Sequence, residues 1–372
     1  MNADRFGLIE ESIAPITASA VAQQKSYWSP AKLQQAKPVP MPTITVAQHD
    51  LLARKIAEES ASTVADALTV PPVIPGQFAS PSSTPSRSTN LVADTLKYPY
   101  SVVGKLFMSI MGTSASYQGS AWIVGRKCIL TAGHCVYDRA QRRFYNNVQF
   151  IPQFKNGATP LGTWNVTQIT TLKEYTTLRN GEELVYDIGA CILDKPLPES
   201  LGIAGYTMNQ PLAKGKMRSV GYPAQPTGQF PFDGKRLWES VGDYNDEEDP
   251  AAATTSPRNY PMYCDLTGGC SGGPIFETDQ SSVVVGLNSH VRLVSAGGQA
   301  EHPPRMFSPY FGDAIGRLVA WMKQNGGEPN EPGYEPNDNG QQDGGHDAHP
   351  LVEIKSGLMQ VVENLNTLIG KL

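Results

Sequence analysis

A chain of 372 residues, 40% of them hydrophobic, has room for one large domain or two modest ones around a sizeable core. A net charge of −5 with only 17% charged residues offers no basic surface for a nucleic acid. No stretch approaches the roughly 20 apolar residues of a membrane span, and 35 Gly with 30 Pro point to many turns.

The start, MNADRFGLIEESIAPITASAVA, is a poor export signal, because Asp4, Glu10 and Glu11 surround Arg5 and the apolar run is short and broken. Residues 1–70 read as an N-terminal region of their own. It contains a Pro-rich run from Lys37 to Pro42 and a helix over 44–68, whose Leu51, Leu52, Ile56, Val64 and Leu68 fall roughly on one face. Residues 71–97 read as a Pro/Ser-rich linker, extended and exposed.

From 98 to 324 the texture changes. Short β-rich runs recur between turn residues: SVVGKLFMSI, SAWIVG, KCILTAG, NNVQFIP, DIGACIL, MRSVGYP and SSVVVGLNS. That spacing predicts an all-β sandwich or barrel and argues against βαβ units. GDAIGRLVAWMKQ (312–324) closes the section as an amphipathic helix. Residues 325–349, rich in Gly, Asn, Asp, Glu and Pro, read as disordered. Residues 350–372 regain a period: Leu351, Ile354, Leu358, Val361, Leu365, Leu368 and Leu372 form a seam suited to docking on the body or to self-association.

Three runs carry chemistry. Ile129-Leu130-Thr131-Ala132-Gly133-His134-Cys135 leads an apolar strand through small residues to a histidine, which suits a general base. In Val185-Tyr186-Asp187-Ile188-Gly189 an Asp precedes a strongly apolar strand, where a half-buried carboxylate orients an imidazole. Asp138 and Asp194 are rivals by residue type alone. In Thr267-Gly268-Gly269-Cys270-Ser271-Gly272-Gly273-Pro274 glycines flank a serine. They leave the N–H groups of Gly269 and Ser271 free to face an oxyanion. No pattern for a metal or cofactor accompanies them: DYNDEEDP (243–250) reads as a solvated loop.

With His before Asp before Ser, and with TAGHC, YDIG and GCSGGP, residues 98–323 resemble the chymotrypsin-like serine proteases. Within them the chain is similar to the bacterial and fungal branch related to staphylococcal glutamyl endopeptidase, through TAGHCVYD, GYPA, FDGKRLW, CDLTGG and VVGLNSH. SYWSPAKLQQAKP (26–38) resembles a propeptide motif of those secreted enzymes. The resemblance implies two six-stranded antiparallel β-barrels with His134, Asp187 and Ser271 in the cleft between them. It further implies a secreted serine endopeptidase made as a zymogen, acting on peptides or proteins through an acyl-enzyme. By the same resemblance Asp265, Thr267, Asn288, Ser289 and His290 line the substrate pocket.

The sequence departs from that family in places. Cys270 stands where the trypsin branch has an Asp that pairs with a freed N-terminus. Asn288 stands where glutamyl endopeptidases have a His, while Asp265 stands six residues before Ser271, at the separation used by enzymes that read Lys or Arg. Five cysteines cannot all pair. Cys128 and Cys191 read as small buried hydrophobes. Cys128 lies seven residues along a strand from Cys135, about 23 Å and far beyond disulfide reach. Few or no bridges are therefore expected. Asn165-Val166-Thr167 is a glycosylation triplet.

Two rival readings remain at this point. Gly269-Cys270-Ser271-Gly272-Gly273 fits G-x-S-x-G of the α/β-hydrolases, which would need parallel strands and His302 as base. The other rival is a non-catalytic binding module.

Overall fold

The computed structural model describes residues 24, 26–59, 67–78, 87–210, 215–244, 259–278, 282–293 and 304–330. The C-terminal seam at 350–372, His302 and most of the acidic run 243–250 lie outside the described residues.

Six strands build the first half: β1 (Val103–Ser109), β2 (Ser116–Gly125), β3 (Cys128–Thr131), β4 (Asn146–Pro152), β5 (Trp164–Thr171) and β6 (Gly189–Leu193). They pair in the order β2-β1-β4-β5-β6-β3, and a further β2–β3 pairing closes the ring. Every pairing is antiparallel, which removes the α/β-hydrolase reading. Apolar residues that the runs place at alternate positions meet inside. Leu106, Trp122, Leu130, Phe150 and Ile169 have no solvent exposure, and each such side chain contributes roughly 1.5–3 kcal/mol on burial.

The second half holds β7 (Tyr206–Met208), β8 (Gly215–Gly221), β9 (Trp238–Tyr244), β10 (Asn259–Tyr263), β11 (Pro274–Glu277), β12 (Val284–Leu287), β13 (Val291–Leu293) and β14 (Arg305–Pro309). One sheet runs β7-β12-β11-β8-β9, while β10 and β14 form a separate ribbon. The ribbon joins the sheet through Ser289 N–H to Phe307 O (3.1 Å), Phe307 N–H to His290 O (2.9 Å) and Leu287 N–H to Ser308 Oγ (2.9 Å). Among the described residues this half is therefore a sheet completed by a ribbon, where the resemblance implies a second closed ring.

Other boundaries also shift. The helix expected over 44–68 spans Val46–Glu59, and Leu68–Val70 is a strand paired with β7. Leu68-Thr69-Val70, with its β-branched pair, suits that pleated edge. Within the expected linker, Ser88–Leu91 adds to β9 and Val73 bridges Ile203, so its described parts are woven into the second sheet. The stretch 325–349, expected to be disordered, begins packed. Asn330 N–H donates to Val124 O (2.6 Å), Asn330 Nδ2 to Pro71 O (2.8 Å), and Asn330 is buried. The helix Asp313–Gln324 is as expected, burying Ile315, Leu318, Trp321 and Met322. Asn165 is buried, with its amide on Asp194 Oδ2 (2.9 Å), so the glycosylation triplet is closed off in the folded chain. All five cysteines are free and buried.

The N-terminal region forms an arm that touches both halves. Trp28 donates from Nε1 to Asn147 O (2.7 Å), with its ring 5.5 Å from Phe107. Lys37–Pro38 then runs parallel to Tyr117–Gln118 of β2. Five residues later Thr43–Thr45 runs parallel to β13. The following helix sets Leu52 in a cluster with Ile44, Leu184 and Val185.

Candidate active site

Strand register places His134 and Asp187 together. Gly189 pairs with Thr131 and Ala190 with Leu130. Because β3 runs toward His134 and β6 runs away from Asp187, both residues emerge from the same end of one ladder. His134 sits in a single 3-10 turn, Gly133–Cys135, and Asp187 caps the 3-10 turn Glu182–Tyr186. Asp187 Oδ1 accepts the His134 backbone N–H (2.7 Å) and Oδ2 faces His134 Nδ1 (2.8 Å). Gly133 makes this approach possible. A Cβ there would stand 3.0 Å from Asp187 Oδ1 and 2.9 Å from the Tyr175 ring.

The serine arrives from the other half. Ser271 lies in the turn between β10 and β11. Its carbonyl accepts from Ser120 N–H of β2 (2.8 Å) and from the thiol of Cys135, the neighbour of His134 (3.5 Å). Ser120 Oγ also donates to Gly269 O (2.9 Å). Gly272, at φ +82°, lets the turn lie flat on the first barrel, since a Cβ there would meet Thr131 Oγ1 at 2.0 Å. Among the described residues the N–H groups of Gly269 and Ser271 donate to no other backbone carbonyl.

Two buried polar atoms at this meeting point lack a partner: His134 Nε2 and Ser271 Oγ. His134 is 5% exposed, and Asp187 and Ser271 not at all. Burial works against the imidazolium, but the Asp187 carboxylate outweighs it and raises the His134 pKa well above its ordinary value. Burial would likewise lift Asp187. The imidazole and the hydrogen bonds from His134 and Ser289 hold it below the usual carboxylate range instead. Asp138 and Asp194 are spent elsewhere, on Gln141 N–H and on Asn165.

The five residues expected in the pocket divide. Asp265 and Thr267 line a cavity of about 680 Å³ that Phe230, Val291 and the arm residues Pro40 and Met41 also line. Asn288, Ser289 and His290 are fully buried and do not line that cavity. Asn288 takes a hydrogen bond from Ser219 (2.6 Å) and donates to Val220 O and Cys270 O (3.3 Å each). Ser289 donates to Asp187 Oδ2 (2.6 Å). Sequence reasoning missed the Ser120 clamp. Its partners lie some 150 positions away, and a serine within an apolar strand carries no local signal.

An imidazole and a carboxylate thus meet on one barrel, and a serine flanked by glycines packs against the same barrel from the other half. Residues 119–287 match the model of the trypsin-like peptidase domain. Two curated relatives align. A glutamyl endopeptidase of Bacillus licheniformis is 28% identical over 51% of this chain and 53% of its own length. An extracellular metalloprotease of Bacillus subtilis is 25% identical over 53% of this chain and 59% of its own. The chain thus spans only a little over half the length of these relatives. Among solved structures, a protease from Arthrobacter nicotinovorans superposes with a TM-score of 0.48 at 25% identity, covering 59% of this chain and 94% of that one. A Glu endopeptidase gives 0.49 at 19%, covering 68% and 99%.

Proposed function

We propose that the chain is a secreted serine endopeptidase made in a latent form, with Ser271 as nucleophile, His134 as base and Asp187 as its orienting carboxylate. The observation that carries this is the pair of orphaned buried atoms, His134 Nε2 and Ser271 Oγ, at the junction of the halves. A buried hydroxyl and a buried imidazole nitrogen without partners cost about 1–3 kcal/mol each. Proteins tolerate that where the groups have work to do. Ser271 Oγ attacks the peptide carbonyl and passes its proton to His134 Nε2. The oxyanion is held by Gly269 and Ser271 N–H, and His134 returns the proton to the leaving amine. Water then repeats the sequence on the acyl-enzyme.

Latency has its own support. Ser271 has no exposure, and the arm crosses from β2 to β13 with Pro40 and Met41 on the cavity wall. Both arm ladders are parallel, the weaker pairing, so a cut between arm and domain lets the arm leave. Asp265 is the one charged side chain on the cavity wall among the described residues. That favours a cationic or neutral side chain at the scissile bond over an acidic one.

The test is a fluorophosphonate label and a peptide-library digest of the full chain, before and after limited proteolysis. Labelling and cleavage should rise after proteolysis, and Ser271→Ala should lower turnover by roughly a millionfold. Turnover that survives Ser271→Ala overturns the reading.

A further inference from the structure

Asp187 has a second line of support behind it. Ser289 Oγ lies 2.6 Å from Asp187 Oδ2 and 2.9 Å from His290 Nδ1, while His290 Nε2 lies 3.3 Å from Asn259 Nδ2. His290, Ser289 and Asp187 are wholly buried and Asn259 nearly so. The chemistry of each group fixes the direction of the chain. An amide nitrogen only donates, so His290 Nε2 accepts and the neutral ring carries its proton on Nδ1. Nδ1–H therefore donates to Ser289 Oγ, which leaves the single Ser289 proton for the carboxylate. Each bond polarises the next.

We propose that His290, oriented by Asn259, is a positioning residue for the base. It locks the Ser289 hydroxyl as a donor to Asp187 and so holds Asp187 square to His134. This rests on the reading of the site given under Proposed function. His290 is itself fixed by stacking on Phe307 (centroids 5.3 Å, planes 22° apart). The titratable groups around it are Asp187 and His134 on the first-barrel side, His49 of the arm across the Phe307 ring, and Arg292 over that same ring (5.6 Å). Burial dominates and keeps the ring neutral, with a pKa lowered to about 3. An imidazolium would donate from both nitrogens and turn Nε2 against Asn259.

The experiment has two arms. In the intact wild-type chain labelled with 15N in its six histidines, ring spectra at pH 7 should show one neutral histidine protonated on Nδ1, and its signals should vanish in His290→Asn. A His290 protonated on Nε2, or charged, overturns the proposal even if no turnover is ever found. In the proteolytically activated chain, His290→Phe keeps the ring stack but removes the donor. It should lower kcat about tenfold with KM unchanged. It should also move the acid limb of kcat/KM upward, because a carboxylate that has lost a donor holds the His134 proton more tightly. His290→Asn, whose side-chain nitrogen sits where Nδ1 was, should restore most of kcat and the limb. Equal loss in both variants with an unmoved limb marks a merely structural role and overturns the proposal. Absence of turnover in the wild type would instead strike the function reading and leave the tautomer result to decide this one.

Discussion

The two halves of the domain solve the same problem differently. The first barrel closes its ladder upon itself, so the relation of His134 to Asp187 follows from backbone register: Gly189 opposite Thr131. The second half has a sheet and a ribbon with side chains at the joints, where Ser308 Oγ takes the Leu287 N–H and Asn288 ties Ser219 to Val220 and Cys270. Backbone pairing is insensitive to residue type, whereas a joint made by one amide fails when that amide is replaced. The strands of the ladder beneath His134 and Asp187 should therefore tolerate side-chain change, and the nucleophile turn should not.

The sharpest break is made at the pair itself. Asp187→Asn should leave the fold intact and lower turnover roughly ten-thousandfold, since the amide favours the wrong imidazole tautomer. The pH profile checks the cause. Asp187 raises the His134 pKa, and activity needs the neutral imidazole, so activity falls as pH drops through that pKa. Without the carboxylate the acid limb of the residual activity should move down. A limb that stays in place would mean that another group sets it.

Next in size is the second half's joint. Asn288→Ala leaves the Ser219 hydroxyl and the Val220 and Cys270 carbonyls short of partners inside the protein. We expect a loss of about 3 kcal/mol in urea unfolding, with a fall in turnover because Cys270 adjoins Ser271. A first-barrel counterpart, Thr167→Ala, removes only one long bond to Ile192 O (3.3 Å) from a half-buried strand position and should cost under about 1 kcal/mol. Similar losses at both sites would erase the contrast.

Much of the candidate site is legible in three short runs, because Ser271, His134 and Asp187 each sit in a particular local backbone. Gly133 admits the carboxylate, and Gly272 lets the serine turn lie on the barrel. What escapes is whatever depends on distant partners. Asn288, Ser289 and His290 share a run that resembles a pocket strand, yet the strand shows those side chains to Asp187, Ser219 and Asn259 and not to the cavity. Only the sheet's handedness and the ribbon's position decide which face is which. The crossing of the arm was equally invisible, since Lys37–Pro38 and Thr43–Thr45 pair through main-chain atoms. The helical pattern runs on to Leu68 in the sequence because that residue keeps the 3.6-residue spacing, while its edge pairing with Met208 leaves no local signal.

A smaller effect comes from acid. His290 is held neutral in the fold, with a pKa lowered to about 3 chiefly by burial, against about 6.5 in an unfolded chain. Between those values the unfolded state binds the extra proton, so stability is present above about pH 6.5 and is lost as pH falls below it. Between pH 7.5 and 5.5 the wild type should lose about 1 kcal/mol more than His290→Phe. An identical loss in both would place the acid sensitivity elsewhere, in the carboxylates of the first half.

The smallest effect concerns the arm, and it separates two ways of holding it. Lys55 Nζ sits 2.7 Å from Glu182 Oε2, but both side chains face water at 46% and 30% exposure. Leu52, one turn earlier, is 6% exposed and packs with Ile44, Leu184 and Val185 beside Asp187. Exposed pairs contribute about 0.2–1 kcal/mol and are screened by salt, whereas a buried leucine contributes about 2 kcal/mol or more. Lys55→Ala should therefore change the rate of fluorophosphonate labelling of the uncut chain less than threefold, with the difference vanishing at 0.5 M salt on the order of the Debye screening expected there. Leu52→Ala should raise that rate tenfold or more at any salt. If the lysine variant opens the site as readily as the leucine variant, charge holds the arm and the apolar cluster merely follows it.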